Sequence, residues 1–304
     1  MTIHLTDTTT SKIDATLTQA RHRLGGPAVG MVLTLMIITD EAEQYDAVRA
    51  AEQAAREHPS RVLVVIARDG KAEPRLDAEL RIGESGPGET LLLRLYGDLG
   101  KHADSVVTPL LLSDTPVVAW WTGPGPETPG RDPLGKVAAR RITDIAASRT
   151  PVTKLAGRAE AYRPGDTDFA WTRLTPWRTL LAATLDQPYA EITGGAVGAA
   201  KDNASGDLLA AWLGSRLGVP MTREVTDGPG VTDVRLRTED GEIGLSRTDG
   251  RVATLSRPGD PDRTVALHRR STSELLAEEL RRLDPDEIYA ESLVAMHDQE
   301  EVTA

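Results

Sequence analysis

The sequence predicts an α/β first domain with a mixed sheet, followed by an α+β domain in which helices cover an antiparallel meander. Three observations carry this. Two apolar runs, Ala28–Thr39 and Arg61–Arg68, flank an amphipathic stretch, a βαβ pattern that implies a parallel strand pair. Leu76, Ala78, Leu80 and Ile82 alternate with Arg75, Asp77, Glu79 and Arg81, the period of a strand with one wet face at or near a sheet edge. Asp240-Gly241 and Asp249-Gly250 separate short β-prone runs, as hairpin turns do.

Each element has a local reason. Residues 1–10 are Thr-rich and read as a mobile end. Ile13, Leu17, Ala20 and Leu24 fall at helical spacing, and Gly25-Gly26-Pro27 stops that helix. Asp40 and Glu43 form a capping box for a helix whose inner face is Ala42, Tyr45, Val48, Ala51 and Ala55. A turn over Gly83–Gly88, a strand Thr90–Tyr96, a mostly helical stretch Gly97–Leu112 and a strand Pro116–Trp121 follow. Pro and Gly crowd Gly123–Pro133, which reads as loop. Pro133 starts a helix through Arg140, and Arg141–Ala147 suits a strand or a helix.

The chain has 304 residues, and at roughly 100–200 residues per domain this suggests two. The expected division is 1–150 and 151–304, with the connection at about 149–165. In the second domain Thr175-Pro176 begins a helix with Trp177, Leu180, Leu181 and Leu185 on one face. Tyr189–Val197 is a strand, and Leu208, Leu209, Trp212, Leu213 and Leu217 mark another helix. Strands near 231–238, 242–248, 251–256 and 263–269 come next, then a helix capped by Ser271 and Glu274 and a last one after Asp284-Pro285.

Composition narrows the function. A net charge of −11 argues against nucleic acid as a partner. The absence of cysteine excludes disulfides, thiolate zinc sites and thiol switching within this chain. No apolar run approaches the ~20 residues of a membrane span. The first residues lack the basic start and apolar stretch of a secretory leader, so the expected location is the cytoplasm.

Chemical signatures are sparse. The histidines are scattered without HxH or HxxxH spacing, so no metal is expected, and no catalytic residue or cofactor is assigned. Gly83-Glu84-Ser85-Gly86-Pro87 misses the nucleophile elbow by its final Pro. Gly194, Gly195 and Gly198 stand where a predicted strand ends ahead of a predicted helix, a context in which a phosphate can bind. Their spacing matches neither the dinucleotide fingerprint nor the P-loop, and a tight turn with close backbone packing is the competing reading.

Two aromatic clusters are the candidate partner-binding residues. In Trp120-Trp121 adjacent strand residues face opposite ways, so one ring enters the core and the other faces a cleft, a helix or a partner. Gly165–Arg178 holds Asp166, Asp168, Phe169, Trp171, Arg173, Trp177 and Arg178. Trp and Arg suit an interface hot spot, while a domain-junction core stapled by Arg–Asp pairs accounts for the same residues. Trp177 sits on the apolar helix face, whereas Arg173 and Arg178 have no place on it and can point outward.

The segment Gly165-Asp166-Thr167-Asp168-Phe169-Ala170-Trp171-Thr172-Arg173-Leu174-Thr175-Pro176-Trp177-Arg178 resembles the hallmark of the OpcA family, the glucose-6-phosphate dehydrogenase assembly proteins. Asp114–Trp121, Asp132-Pro133-Leu134-Gly135, Arg140–Asp144 and the start Val32–Asp40 are similar to the same family, in an Arg-rich, actinobacterial style. The resemblance runs from about residue 12 to about 295 and implies a non-catalytic partner of glucose-6-phosphate dehydrogenase. Such a partner promotes the active oligomer or acts as an allosteric effector. Cyanobacterial relatives are associated with thioredoxin-dependent control; this chain departs from them in having no cysteine to oxidise. The alternative class is an enzyme or sensor for sugar phosphates or nucleotides, using the Gly194–Gly198 turn with Arg173 or Arg178.

Overall fold

The computed structural model describes residues 1–24, 30–68, 70–83, 88–247 and 249–303. The predicted helix stop at Gly25-Gly26-Pro27, the start of the first apolar run and most of the Gly83–Gly88 turn lie outside the described residues. The chain forms two compact units, 1–143 with 272–285 and 144–271 with 286–304.

The first unit is α/β with a mixed sheet. Its strands are β1 (Thr2–Leu5), β2 (Leu33–Thr39), β3 (Ser60–Ala67), β4 (Arg75–Ile82), β5 (Glu89–Tyr96), β6 (Val117–Trp121) and β7 (Arg140–Thr143). They stand in the order β1-β4-β5-β3-β2-β6-β7 within an eight-stranded sheet. β5, β3, β2, β6 and β7 are parallel, and β4 and β1 are antiparallel at one side. Both faces of β2 and β3 are covered, which explains their unbroken apolar runs.

Helix α1 (Thr10–Leu24) contributes Ile13 and Leu17 to the core cluster that also holds Met36, Leu63 and Leu91. Helix α2 (Gln44–Ala54) buries Ala47, Val48, Ala50, Ala51 and Ala54 and contacts β2 and β3. α3 (Ala103–Val107) and α4 (Pro133–Lys136) are short, and Asp132 caps the latter through the Leu134 and Gly135 amides.

Three local expectations change. Residues 2–5 form β1, tied to β4 with Ile3 opposite Leu80, because backbone pairing outweighs the Thr-rich composition. Ala42 and Tyr45 are exposed: Asp40 Oδ1 accepts from the Ala42 and Glu43 amides and makes a turn, so α2 begins later. The helix from Pro133 stops at Lys136, and Arg140–Thr143 is a strand rather than helix.

The second unit is α+β. It contains α5 (Pro151–Ala161), β8 (Asp166–Asp168), α6 (Phe169–Thr172), α7 (Thr175–Leu185), β9 (Ile192–Ala199), α8 (Ala204–Leu217), β10 (Met221–Val225), β11 (Val231–Thr238), β12 (Gly241–Ser246), β13 (Val252–Arg257) and β14 (Asp260–Ala266). The six-stranded sheet has the order β10-β9-β11-β12-β13-β14. Only the β10–β9 pair is parallel; the rest is the predicted meander, turning at both Asp-Gly pairs. Leu208, Leu209 and Leu213 of α8 join Val197, Val234, Leu236 and Leu245 in its core.

After β14 the chain returns to the first unit as α9 (Thr272–Arg281), which packs on α2. It then finishes in the second unit as α10 (Glu287–Thr303), packed on α8 and α5. No helix among the described residues is long and apolar enough to cross a membrane.

Candidate functional site

The Asp166–Arg178 segment is built from the backbone outward. Asp168 caps α6: its Oδ1 accepts from the Ala170 amide at 2.8 Å and its Oδ2 from the Ile145 amide at 3.0 Å. Asp166 Oδ2 accepts from the Arg163 amide at 3.0 Å. Both carboxylates are buried. Trp171 is also buried; its indole donates to Asp286 Oδ2 at 2.8 Å and its ring meets Tyr289 at 5.6 Å. Trp177, in the next helix α7, is in the core with Leu181, Leu174 and Leu208. Asp166, Asp168 and Trp171, candidate partner anchors from the sequence, are thus engaged inside their own unit.

The two arginines differ from that group. Arg173 makes a fork with Asp144, Nη1 to Oδ1 at 2.8 Å and Nη2 to Oδ2 at 2.6 Å, and its side chain is 36% exposed. Burial opposes its charge, but the hydrogen bond and charge of Asp144 outweigh this and raise its pKa. The Arg178 guanidinium lies 3.8 Å from the Trp171 ring centroid and donates to Thr175 Oγ1 at 3.0 Å.

Trp120 and Trp121 lie in the first unit on β6, paired with Ile37 and Ile38 of β2. Both are buried, at 2% and 7% exposure, so of the cleft, helix or partner expected against the second ring, no open cleft exposes it within this chain. β6 stands inside the sheet between β2 and β7, so both its edges are paired, and all its residues are buried.

Gly194, Gly195 and Gly198 do not form a turn. All three lie within β9, which runs between β10 and β11. A Cβ on Gly195 would stand 2.5 Å from the Arg235 carbonyl oxygen, and one on Gly198 would overlap the Asp233 carboxylate. The glycines admit close approach of neighbouring strands and present no phosphate cradle. The turn into α8 comes later, and Asn203 caps it by accepting from the Gly206 amide at 3.0 Å.

What the fold does assemble in the second unit is a pocket of about 310 Å³. One wall is Arg173, Pro176 and Trp177, another the start of α8 at Asn203 and Ser205. Arg247, just past β12, and His268-Arg269-Arg270, just past β14, complete it. Arg247 is buried, 5.0 Å from the Trp177 ring centroid. Desolvation, assisted by the charge of Arg269 and opposed by Asp249, pushes its pKa down to about 10. These last arginines were not singled out by spacing; the only local sign is the Arg269-Arg270 doublet after a strand. Among the described residues no group of three or more His, Cys, Asp or Glu could hold a metal ion.

Comparison with known proteins places this geometry. Among solved structures the chain is similar to an oxidoreductase from Sinorhizobium meliloti, with 11% identity, a TM-score of 0.41 and coverage of 88% of this chain and 87% of that one. A likeness at this level says nothing of activity. Among curated proteins nothing matches. Residues 51–160 match the family model for a glucose-6-phosphate dehydrogenase subunit N-terminal domain, and residues 164–293 that for the corresponding C-terminal domain. The second match contains the whole Asp166–Arg178 segment. With both halves covered, the chain belongs to the OpcA family of glucose-6-phosphate dehydrogenase assembly proteins, a family name that points to assembly rather than catalysis.

Proposed function

We propose that this chain acts in the cytoplasm as a non-catalytic partner that binds glucose-6-phosphate dehydrogenase and promotes its active oligomer. The observation that carries the reading is the pair of family models matching successive segments over 51–160 and 164–293. A partner that binds the active state more tightly than the inactive one shifts the population by that difference in affinity. About 2.7 kcal/mol of coupling gives a hundredfold shift, with no turnover by the partner. Of the candidate partner-binding residues, Arg173 and Arg178 are the ones that keep partial exposure suited to a docking contact, and Arg173 is already oriented by Asp144. The test is co-purification of the full chain with the dehydrogenase, mass measurement of the complex, and dehydrogenase assays with and without the chain. A stable complex with raised activity is expected. No complex at micromolar concentrations, or reduction of a nicotinamide cofactor by this chain alone, defeats the reading.

A further inference from the structure

The pocket of the second unit poses a charge problem that partner binding does not solve. Arg247 is nine-tenths buried. Its Nη1 and Nη2 donate to the carbonyls of Leu267 and Val231 at 3.3 and 3.1 Å. Its Nε is buried without a hydrogen-bond partner, and no carboxylate lies within ion-pair distance of it among the described residues. A buried cation satisfied only by neutral carbonyls is costly unless an anion completes it. Stacking against Trp177 returns only part of that cost.

The surroundings favour an anion at the same place. No Asp or Glu lines the pocket, whereas Arg173, Arg269 and Arg270 do. Arg173 is committed to Asp144, but Arg269 is exposed and makes its hydrogen bond to the Pro229 carbonyl, not to an acid. The beginnings of two helices also border the pocket: Leu174 and Pro176 at α7, Asn203 and Ser205 at α8. Helix N-termini carry positive dipole ends. Trp177, Pro176, Val231 and Leu267 add an apolar wall, and about 310 Å³ falls in the range of small-molecule sites.

We propose that this pocket binds a small phosphate monoester, with Arg247 and Arg269 holding the phosphate and Trp177 and its apolar neighbours contacting the carbon body. The inference rests on Arg247 and Arg269, which the proposed docking contact does not use, and its test needs this chain alone. It also differs in place from a phosphate turn at Gly194–Gly198.

The test uses the full chain alone in calorimetric titrations with glucose 6-phosphate, adenosine 5′-phosphate, inorganic phosphate and glucose. Saturable binding of at least one monoester is expected, with inorganic phosphate weaker and glucose silent. Arg269→Ala, at an exposed position, should keep the parent's melting temperature and weaken the monoester about tenfold. Arg247→Met should weaken it more, and Arg247→Lys should restore part of the loss. Failure of both monoesters to bind the folded parent at millimolar concentration overturns the proposal. So does binding that survives unchanged in both Arg269→Ala and Arg247→Met. If Arg247→Met does not fold, Arg269→Ala and Arg269→Glu decide, and unchanged affinity in those two overturns it.

Discussion

Arg140 and Glu279, 139 residues apart, form a buried ion pair in which Arg140 Nε donates to Glu279 Oε2 at 2.9 Å. Arg140 Nη1 also donates to the Asp284 carbonyl at 2.8 Å. Together these contacts fasten the returning segment 272–285 to β7 of the first unit. Removing Glu279 leaves the Arg140 charge buried without its carboxylate, which costs ~3–5 kcal/mol. Glu279→Ala is therefore expected to lower the stability of this unit by that amount in denaturant titrations. The apolar pair Arg140→Met with Glu279→Leu should recover most of it; a double variant as unstable as the single one would show that charge is not the issue.

Trp177 and Arg173 should separate stability from partner binding. Trp177 fills the core of the second unit, and its truncation to Ala is expected to cost ~3–5 kcal/mol. Arg173 is one-third exposed, where solvent screening holds its pair with Asp144 to about 1 kcal/mol or less. Arg173→Ala should thus keep the melting temperature within a few degrees while weakening activation of the dehydrogenase. Thermal melts beside activation titrations check both; full activation by Arg173→Ala would remove Arg173 from the interface.

The glycines of β9 make a graded prediction. At Gly195 the obstructing atom is a backbone carbonyl, which cannot move without disturbing β11. At Gly198 it is the end of the Asp233 side chain, which can rotate away. Gly195→Ala should cost ~1–3 kcal/mol, and Gly198→Ala clearly less. Chemical denaturation of the two variants would reveal an inverted order if the strand shifts instead.

Tyr289 ties alkaline stability to the aromatic cluster. It is buried beside Trp171 and Tyr162, and desolvation, with the charge of Asp168, raises its pKa well above the ordinary 10.0. The unfolded chain loses this proton near the ordinary value while the native chain keeps it. The contribution is therefore complete below pH ~10 and declines as pH rises from there toward the native pKa. Tyr289→Phe should show a smaller drop in melting temperature than the parent between about pH 9 and pH 11. An unchanged drop would mean that Tyr289 loses its proton over the same pH range in the folded and the unfolded chain.

The sequence by itself determined the elements whose signal is local. The apolar runs of β2 and β3, the alternation of β4, the Asp-Gly turns of the meander and the Pro-started helix α7 depend on side-chain periodicity and backbone preference within a few residues. The family was legible too, because Asp166–Arg178 keeps its pattern in one unbroken stretch. Only the tertiary structure decided what distant neighbours do. A strand beside Gly195 turned a presumed turn residue into a packing residue, β4 gave residues 2–5 an edge to pair with, and Glu279 drew α9 back to the first unit. The arginine pocket is the extreme case. Arg173, Arg247 and Arg269 stand on separate elements, and no spacing along the chain encodes their meeting, since burial and charge act through space while sequence patterns report only local order.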